Sequence, residues 1–214
     1  MGLRSITTVV TPASSYALAS LADVKTELGI ADTSKDTLLT RYLNYASTTI
    51  AQFCNRAFVA ETVKDEIWPD REWYSFQVVG QVKDLQLSRW PVVSITEVLE
   101  NGETLVSGTD YRADNDNGIL IRLDTNGYPK PWLAWPLSVT YSAGFAIVPT
   151  DVQDATIRLV KARYLAQGRD PFLKSENIPG VRDVAYWVAT GGDAGNMPPD
   201  VEDILENYRI PVVA

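Results

Sequence analysis

Within residues 137 to 168, LSVTYSAGFAIVPTDVQDATIRLVKARYLAQG, the apolar period changes from two to between three and four, and no single kind of secondary structure accommodates both. Leu137, Val139 and Tyr141 alternate with Ser138, Thr140 and Ser142, which predicts a strand with one buried face. After Pro149, Val152, Ala155, Leu159, Ala162 and Leu165 recur at helical steps, with Gln153, Asp154, Arg158, Lys161 and Arg163 opposite them. A similar helical pattern lies near the start of the chain, so the sheet-forming middle stands between two helical parts.

At the start, Ser20 with Asp23 three positions on reads as a helix N-cap, and Leu21, Val24 and Leu28 form a short stripe ending at Gly29. Leu39, Tyr42, Leu43, Ala46, Ile50 and Phe53 mark a longer helix from about residue 36 to about residue 54, so the two should pack as a helical hairpin. From Glu61 to Gly144 aromatic and β-branched residues alternate with turn signals. Asn101-Gly102 suits a tight hairpin, Asp114 to Gly118 a second turn, and Pro129, Pro131 and Pro136 exclude a central strand from the Trp-rich loop. Residues 169 to 198 mix Pro, Gly and polar residues and read as an extended arm, with at most a short ordered piece around Val184 to Val188. Pro198, Pro199 and Asp200 then open a final helix carrying Val201, Ile204, Leu205 and Tyr208.

The expected fold is α+β. Residues 1–19 are an N-terminal extension, 20–60 and 149–168 a small helical bundle, 61–148 an inserted antiparallel β domain, and 169–214 a C-terminal arm ending in a short helix. With 214 residues, 45% hydrophobic and 21% charged, the chain has the composition of a folded globular protein. No run reaches the 18 or so apolar residues of a membrane span, and the opening residues have no secretory pattern, so synthesis in the cytosol and no membrane partner are expected.

Histidine is absent and Cys54 is the only cysteine. Imidazole-based nucleophile pairs, histidine metal ligands and intrachain disulfides are therefore excluded. Cys54 falls on the apolar side of its helix and reads as a small buried hydrophobe. The net charge of −8 is unevenly spread: residues 61–148 hold seven basic and thirteen acidic side chains, against five and four in 1–60 and seven and ten in 149–214. Non-specific DNA binding needs clustered cations, which this balance does not supply.

Four groups of residues are candidate sites. Asp114, Asp116 and Gly118 begin like a calcium loop, but glycine falls fifth rather than sixth and Thr125 holds the twelfth place, which favours a hairpin turn. Asp65 with Glu66, or Glu97 with Glu100, could make an acid and base pair in a histidine-free carboxylate enzyme, with a solvated face as the simpler reading. Tryptophans 68, 73, 90, 132, 135 and 187 could stack on sugars in a carbohydrate-binding module, against packing in a core or subunit contact. Arg158, Lys161, Arg163 and Arg169, bordered by Asp151, Asp154 and Asp170, read as a solvated helix face.

Taken in order, SLADVKTELGI, DTLLTRYLNYASTTIAQFCNRAF, LSRWPVVSITEV and VTYSAGFAIVPTDVQDATIRLVKARYLAQGRDP resemble the head-to-tail connector (adaptor) proteins of tailed bacteriophages, in the group with a β-rich insertion. The resemblance spans roughly residues 18–172. It implies a non-enzymatic structural protein that needs no cofactor. Such a protein is assembled in the host cytoplasm and sits at the virion neck, in a homo-oligomeric ring, twelvefold by expectation, beneath the portal protein. It would contact a downstream neck or tail protein, and DNA would pass through without sequence-specific binding. Carried onto this chain, portal attachment falls to the C-terminal segment, with Val201, Ile204, Leu205, Tyr208, Arg209, Ile210 and Val212 as candidate contacts. Phe172, Leu173, Tyr186 and Trp187 on the arm are candidate subunit or partner contacts.

Overall fold

A computed structural model describes residues 3–69, 82–167, 175–178, 182–185 and 197–210. The chain separates into two compact units, one comprising Met1–Ser15 with Ala57–Ile147 and the other Tyr16–Arg56 with Val148–Ala214.

The first unit is built from strands. Leu3–Thr11 forms β1, Glu61–Pro69 β2, Asp84–Gln86 β3, Val92–Glu100 β4, Glu103–Thr104 β5, Tyr111–Asp114 β6, Ile119–Arg122 β7 and Leu137–Ala143 β8. A five-stranded antiparallel sheet has the order β1-β2-β8-β4-β5, and a three-stranded sheet the order β3-β7-β6. The predicted alternation of β8 holds: Leu137, Val139, Tyr141 and Ala143 are all fully buried, opposite Ile67, Asp65, Val63 and Glu61 of β2. Leu85, Leu87, Val98, Leu120 and Trp132 complete the core.

Residues 3–11, grouped by the sequence reading into an N-terminal extension, form a nine-residue edge strand paired with β2 from Leu3↔Pro69 to Thr11↔Thr62. The run Ile6-Thr7-Thr8-Val9-Val10 has the β-branched composition that suits a pleated surface. The Asn101-Gly102 turn joins β4 and β5 with both residues at positive φ (51° and 85°), the geometry of the tight hairpin expected there.

Gly144 explains why a glycine follows β8. Its φ is 122°, and a Cβ there would stand 2.6 Å from the Val59 carbonyl oxygen. That close approach lets Phe145 N donate to Phe58 O at 2.8 Å and Val59 bridge to Phe145 before the helical period begins.

The second unit contains Leu21–Leu28 (α1), Asp36–Phe53 (α2), Thr150–Leu165 (α3) and Pro199–Glu206 (α4). Ser20 caps α1 by accepting from Asp23 N at 3.0 Å, and Gly29 closes it in the left-handed region. α1 packs on α2 and α3, α2 on α3, and α3 on α4. Leu39, Leu43, Ala46 and Ile50 of α2 and Val152, Ala155, Leu159 and Val160 of α3 are all buried where the two helices pack. The arm, expected to be extended, contains a two-stranded antiparallel hairpin: Ser175–Ile178 (β9) pairs with Arg182–Ala185 (β10). Its strands are only four residues long, too short for period-two alternation to show in the sequence.

Candidate interaction surfaces

The C-terminal segment, expected to face a partner, is docked on its own bundle. Val201 and Leu205 are fully buried, so these two candidate portal contacts belong to the helical core. Leu205 O accepts from the Cys54 thiol at 3.7 Å, and Ile210 N donates to Cys54 O at 2.9 Å. Burial pushes the Cys54 thiol up to about 11, so it stays protonated and matches the buried hydrophobe expected. The Tyr208 hydroxyl lies 2.9 and 2.8 Å from the two carboxylate oxygens of Asp151, and burial followed by that carboxylate raises it to about 12. The Arg209 guanidinium rests 5.1 Å from the Phe53 ring centre. Ile204 and Ile210 are half-buried and Arg209 is exposed. Val212, Phe172, Leu173, Tyr186 and Trp187 lie outside the described residues. A helical apolar stripe reads the same in sequence whether its groove belongs to the same chain or to a partner.

The basic residues of α3 are tied to neighbouring helices. Arg158 donates to Asp154 at 2.7 Å and to Asp200 of α4 at 3.2 Å, and Lys161 reaches Glu27 of α1 at 2.5 Å. Arg163 stacks 3.8 Å from the Tyr45 ring centre and 5.3 Å from that of Tyr42. These side chains are about half exposed in their ion pairs, as a solvated face requires, and they also brace the bundle. Arg169 lies outside the described residues.

Asp65 and Glu66 point to opposite faces of β2 and form no pair. Asp65 is fully buried. It accepts from Thr7 Oγ1 (2.7 Å), Ser88 N (2.9 Å) and the Tyr141 hydroxyl (2.7 Å), and Tyr141 accepts in turn from Arg89 N at 3.1 Å. Burial first, and then the Asp65 carboxylate, raise the Tyr141 phenol above its ordinary range. Arg89 also pairs with buried Glu61. Every oxygen of Asp65 is occupied and none reaches solvent, so this carboxylate positions strands and meets no substrate. Glu100 is held by Arg122 at 2.9 Å while Glu97 is exposed, which leaves that candidate pair with separate surroundings.

The tryptophans make no surface platform among the described residues. Trp132 is fully buried with Arg122 over its ring at 6.0 Å, Trp135 packs against the same core, and Trp68 and Trp90 are half-buried. Trp73 and Trp187 lie outside the described residues. Asp114 to Gly118 is the β6–β7 turn, in which Asp114 accepts from Asn117 N and Nδ2 at 3.2 and 2.8 Å, bonds that lower its carboxyl below the usual range. Among the described residues no three His, Cys, Asp or Glu side chains gather to hold a metal, and no helix is long and apolar enough to cross a membrane.

One surface had no counterpart in the sequence reading. Among the described residues β1 pairs with β2 alone, and Ile6, Val9 and Val10 are 55%, 40% and 54% exposed. Its β-branched run was the available signal.

None of the curated proteins matches the sequence. Among solved structures, a chain from the neck of an empty gene transfer agent particle, treated with C6 symmetry, aligns with TM-score 0.57 and 17% identity over 98% of this chain and 97% of that one. A chain from the neck of the native gene transfer agent particle with C12 symmetry gives 0.54 and 18% over the same shares. A chain from the native gene transfer agent virion gives 0.54 and 16%, again over 98% and 97%. At these identities the likeness is one of fold, and it extends through both units. Residues 17–211 also match the family described as HCP, head completion protein, which takes in both helical segments and the β unit apart from β1. The chain therefore belongs to the head completion protein family, and its role is that of a structural component at the head-to-tail neck of a phage particle.

Proposed function

We propose that this chain forms a ring beneath the portal protein, continues the DNA channel and presents its far side to a downstream neck or tail protein. The family match over residues 17–211 carries the reading. The C6 and C12 symmetry of the necks that hold similarly folded chains supports a ring of about twelve copies. The chain works without catalysis. Its carboxylates Asp65 and Glu61 are spent on internal hydrogen bonds, its one thiol is buried, and it has no histidine. Its acidic balance suits a conduit that DNA crosses without lasting phosphate contacts.

With Val201 and Leu205 committed to the bundle, portal attachment falls to Ile204, Arg209 and Ile210 at its rim together with the arm carrying Phe172, Leu173, Tyr186, Trp187 and Val212. The test is native mass measurement of portal vertex complexes purified from particles. Twelve copies per vertex, lost with an Arg209→Glu/Ile204→Asp variant that still folds, is the expected result. A chain that is monomeric and absent from the vertex under every condition overturns the reading.

A further inference from the structure

The cations of the helical unit are held in two ways. Lys25 pairs with Asp36, Arg158 with Asp154 and Asp200, Lys161 with Glu27, and Arg209 with Glu206. Arg41 and Arg163 lie over aromatic rings instead. Their guanidinium carbons stand 5.6 and 5.3 Å from the centre of the Tyr42 ring, and that of Arg163 also stands 3.8 Å from the centre of the Tyr45 ring. Neither arginine bonds to a carboxylate among the described residues. A stacked guanidinium is held by its face, which leaves its edge of N–H donors available to an anion, and both arginines are exposed, as is Tyr45. Two positive charges gathered over one ring repel each other. A carboxylate placed at their N–H edges relieves that repulsion and gains charge-assisted hydrogen bonds.

The complement stands on α4 of the same unit. Val201 and Leu205 are buried there, so Asp203, two residues from each, falls on the opposite side of the helix, with Glu202 beside it. Asp203 is exposed and Glu202 half-buried. Neither makes an ion pair among the described residues, so the basic patch and the acidic patch do not satisfy each other within one chain.

We propose that the Arg41, Tyr42, Tyr45 and Arg163 patch is a subunit interface whose occupant is the Glu202–Asp203 face of α4 in a neighbouring copy of this chain. The inference rests on the ring reading above and deepens it. The two patches are different surfaces of opposite charge, so their contact is head-to-tail, the kind that closes into a ring. Tyrosine and arginine are enriched where protein surfaces meet, which favours a protein carboxylate over a DNA phosphate as the anion.

A charge swap, read by native mass measurement of portal vertex complexes, tests this. Arg41→Glu/Arg163→Glu makes both patches acidic and Glu202→Lys/Asp203→Lys makes both basic, so each variant alone should lose the ring. Co-expressed, the two should restore it as an alternating ring of even number, because every basic patch then meets an acidic one. Arg41→Gln/Arg163→Gln, which keeps the stems and removes the charge, should lower occupancy of the vertex about tenfold. Intact rings from either reversed variant alone would overturn the neighbour as occupant, and so would a mixture that makes no ring although both variants keep the wild-type melting temperature. Where a reversal lowers that temperature, the glutamine pair decides, and unchanged occupancy overturns the proposal. Rings that persist in Arg41→Glu/Arg163→Glu but retain less DNA would give the patch to DNA instead. Absence of the wild-type chain from the vertex would overturn the ring reading beneath it.

Discussion

The strand unit and the helical unit hold their interiors together by different means. In the strand unit Asp65, Glu61 and Arg122 are buried, and each is met by specific partners: Thr7, Ser88 and Tyr141 for Asp65, Arg89 for Glu61, and Glu100 with the Asp110 carbonyl for Arg122. In the helical unit the described buried polar residues are Ser47 and Thr156, each of which donates to the carbonyl four residues back, at 2.8 and 2.7 Å. The charges of that unit pair across its surface instead, as Lys25 does with Asp36.

The difference follows from what each element satisfies by itself. A helix closes its own hydrogen bonds, so only the volume and shape of its buried stripe need specifying. A strand depends on its neighbours, and a slip of one residue would move its buried set to solvent. Asp65 joins β1, β2, β8 and the segment after β3 through one carboxylate, which makes a slipped register costly.

That contrast can be broken most directly at Asp65. Asp65→Ala leaves the buried Tyr141 hydroxyl and two part-buried donors, Thr7 Oγ1 and Ser88 N, without their acceptor and should cost about 3 kcal/mol of stability, read as a fall in the urea midpoint. A loss below about 1 kcal/mol would mean that apolar packing alone sets the register. In the helical unit, Leu205→Ala should cost about 3 kcal/mol by opening a cavity between α4 and Cys54. Unchanged stability with weakened portal binding would return Leu205 to the partner-facing stripe read in the sequence.

The smallest effect is alkaline. The Cys54 thiol ionises at about 11 when folded and from 9.0 in its ordinary state, so its contribution is complete below pH 9 and is lost as the pH rises toward 11. At 1.36 kcal/mol for each pH step, about 2 kcal/mol should disappear over that window. Tyr208, which titrates at about 12, takes over only at the upper end. Cys54→Ala should flatten the early part of the profile, and a wild-type profile level between pH 9 and pH 10.5 would show that the thiol reaches water in the native state.

Local chemistry was enough to place the caps, the turns and the periodic elements. Ser20 and Gly29 bound α1, Asn101-Gly102 turns β4 into β5, and the change of period at Pro149 separates β8 from α3, because each depends on residues adjacent in the chain. The ordered motifs from Ser20 to Pro171 also carried the family resemblance. Tertiary structure decided which groove takes the stripe of α4, that Asp65 is a buried anchor, that Trp132 is core, and that residues 3–11 extend the sheet as a strand paired with β2. Each of these depends on a partner at least 50 residues away: Leu205 on Cys54, Asp65 on Thr7 and Tyr141, Trp132 on Val82, and β1 on β2. A periodic pattern shows that a face must be covered, but what covers it is settled only when the distant segments meet.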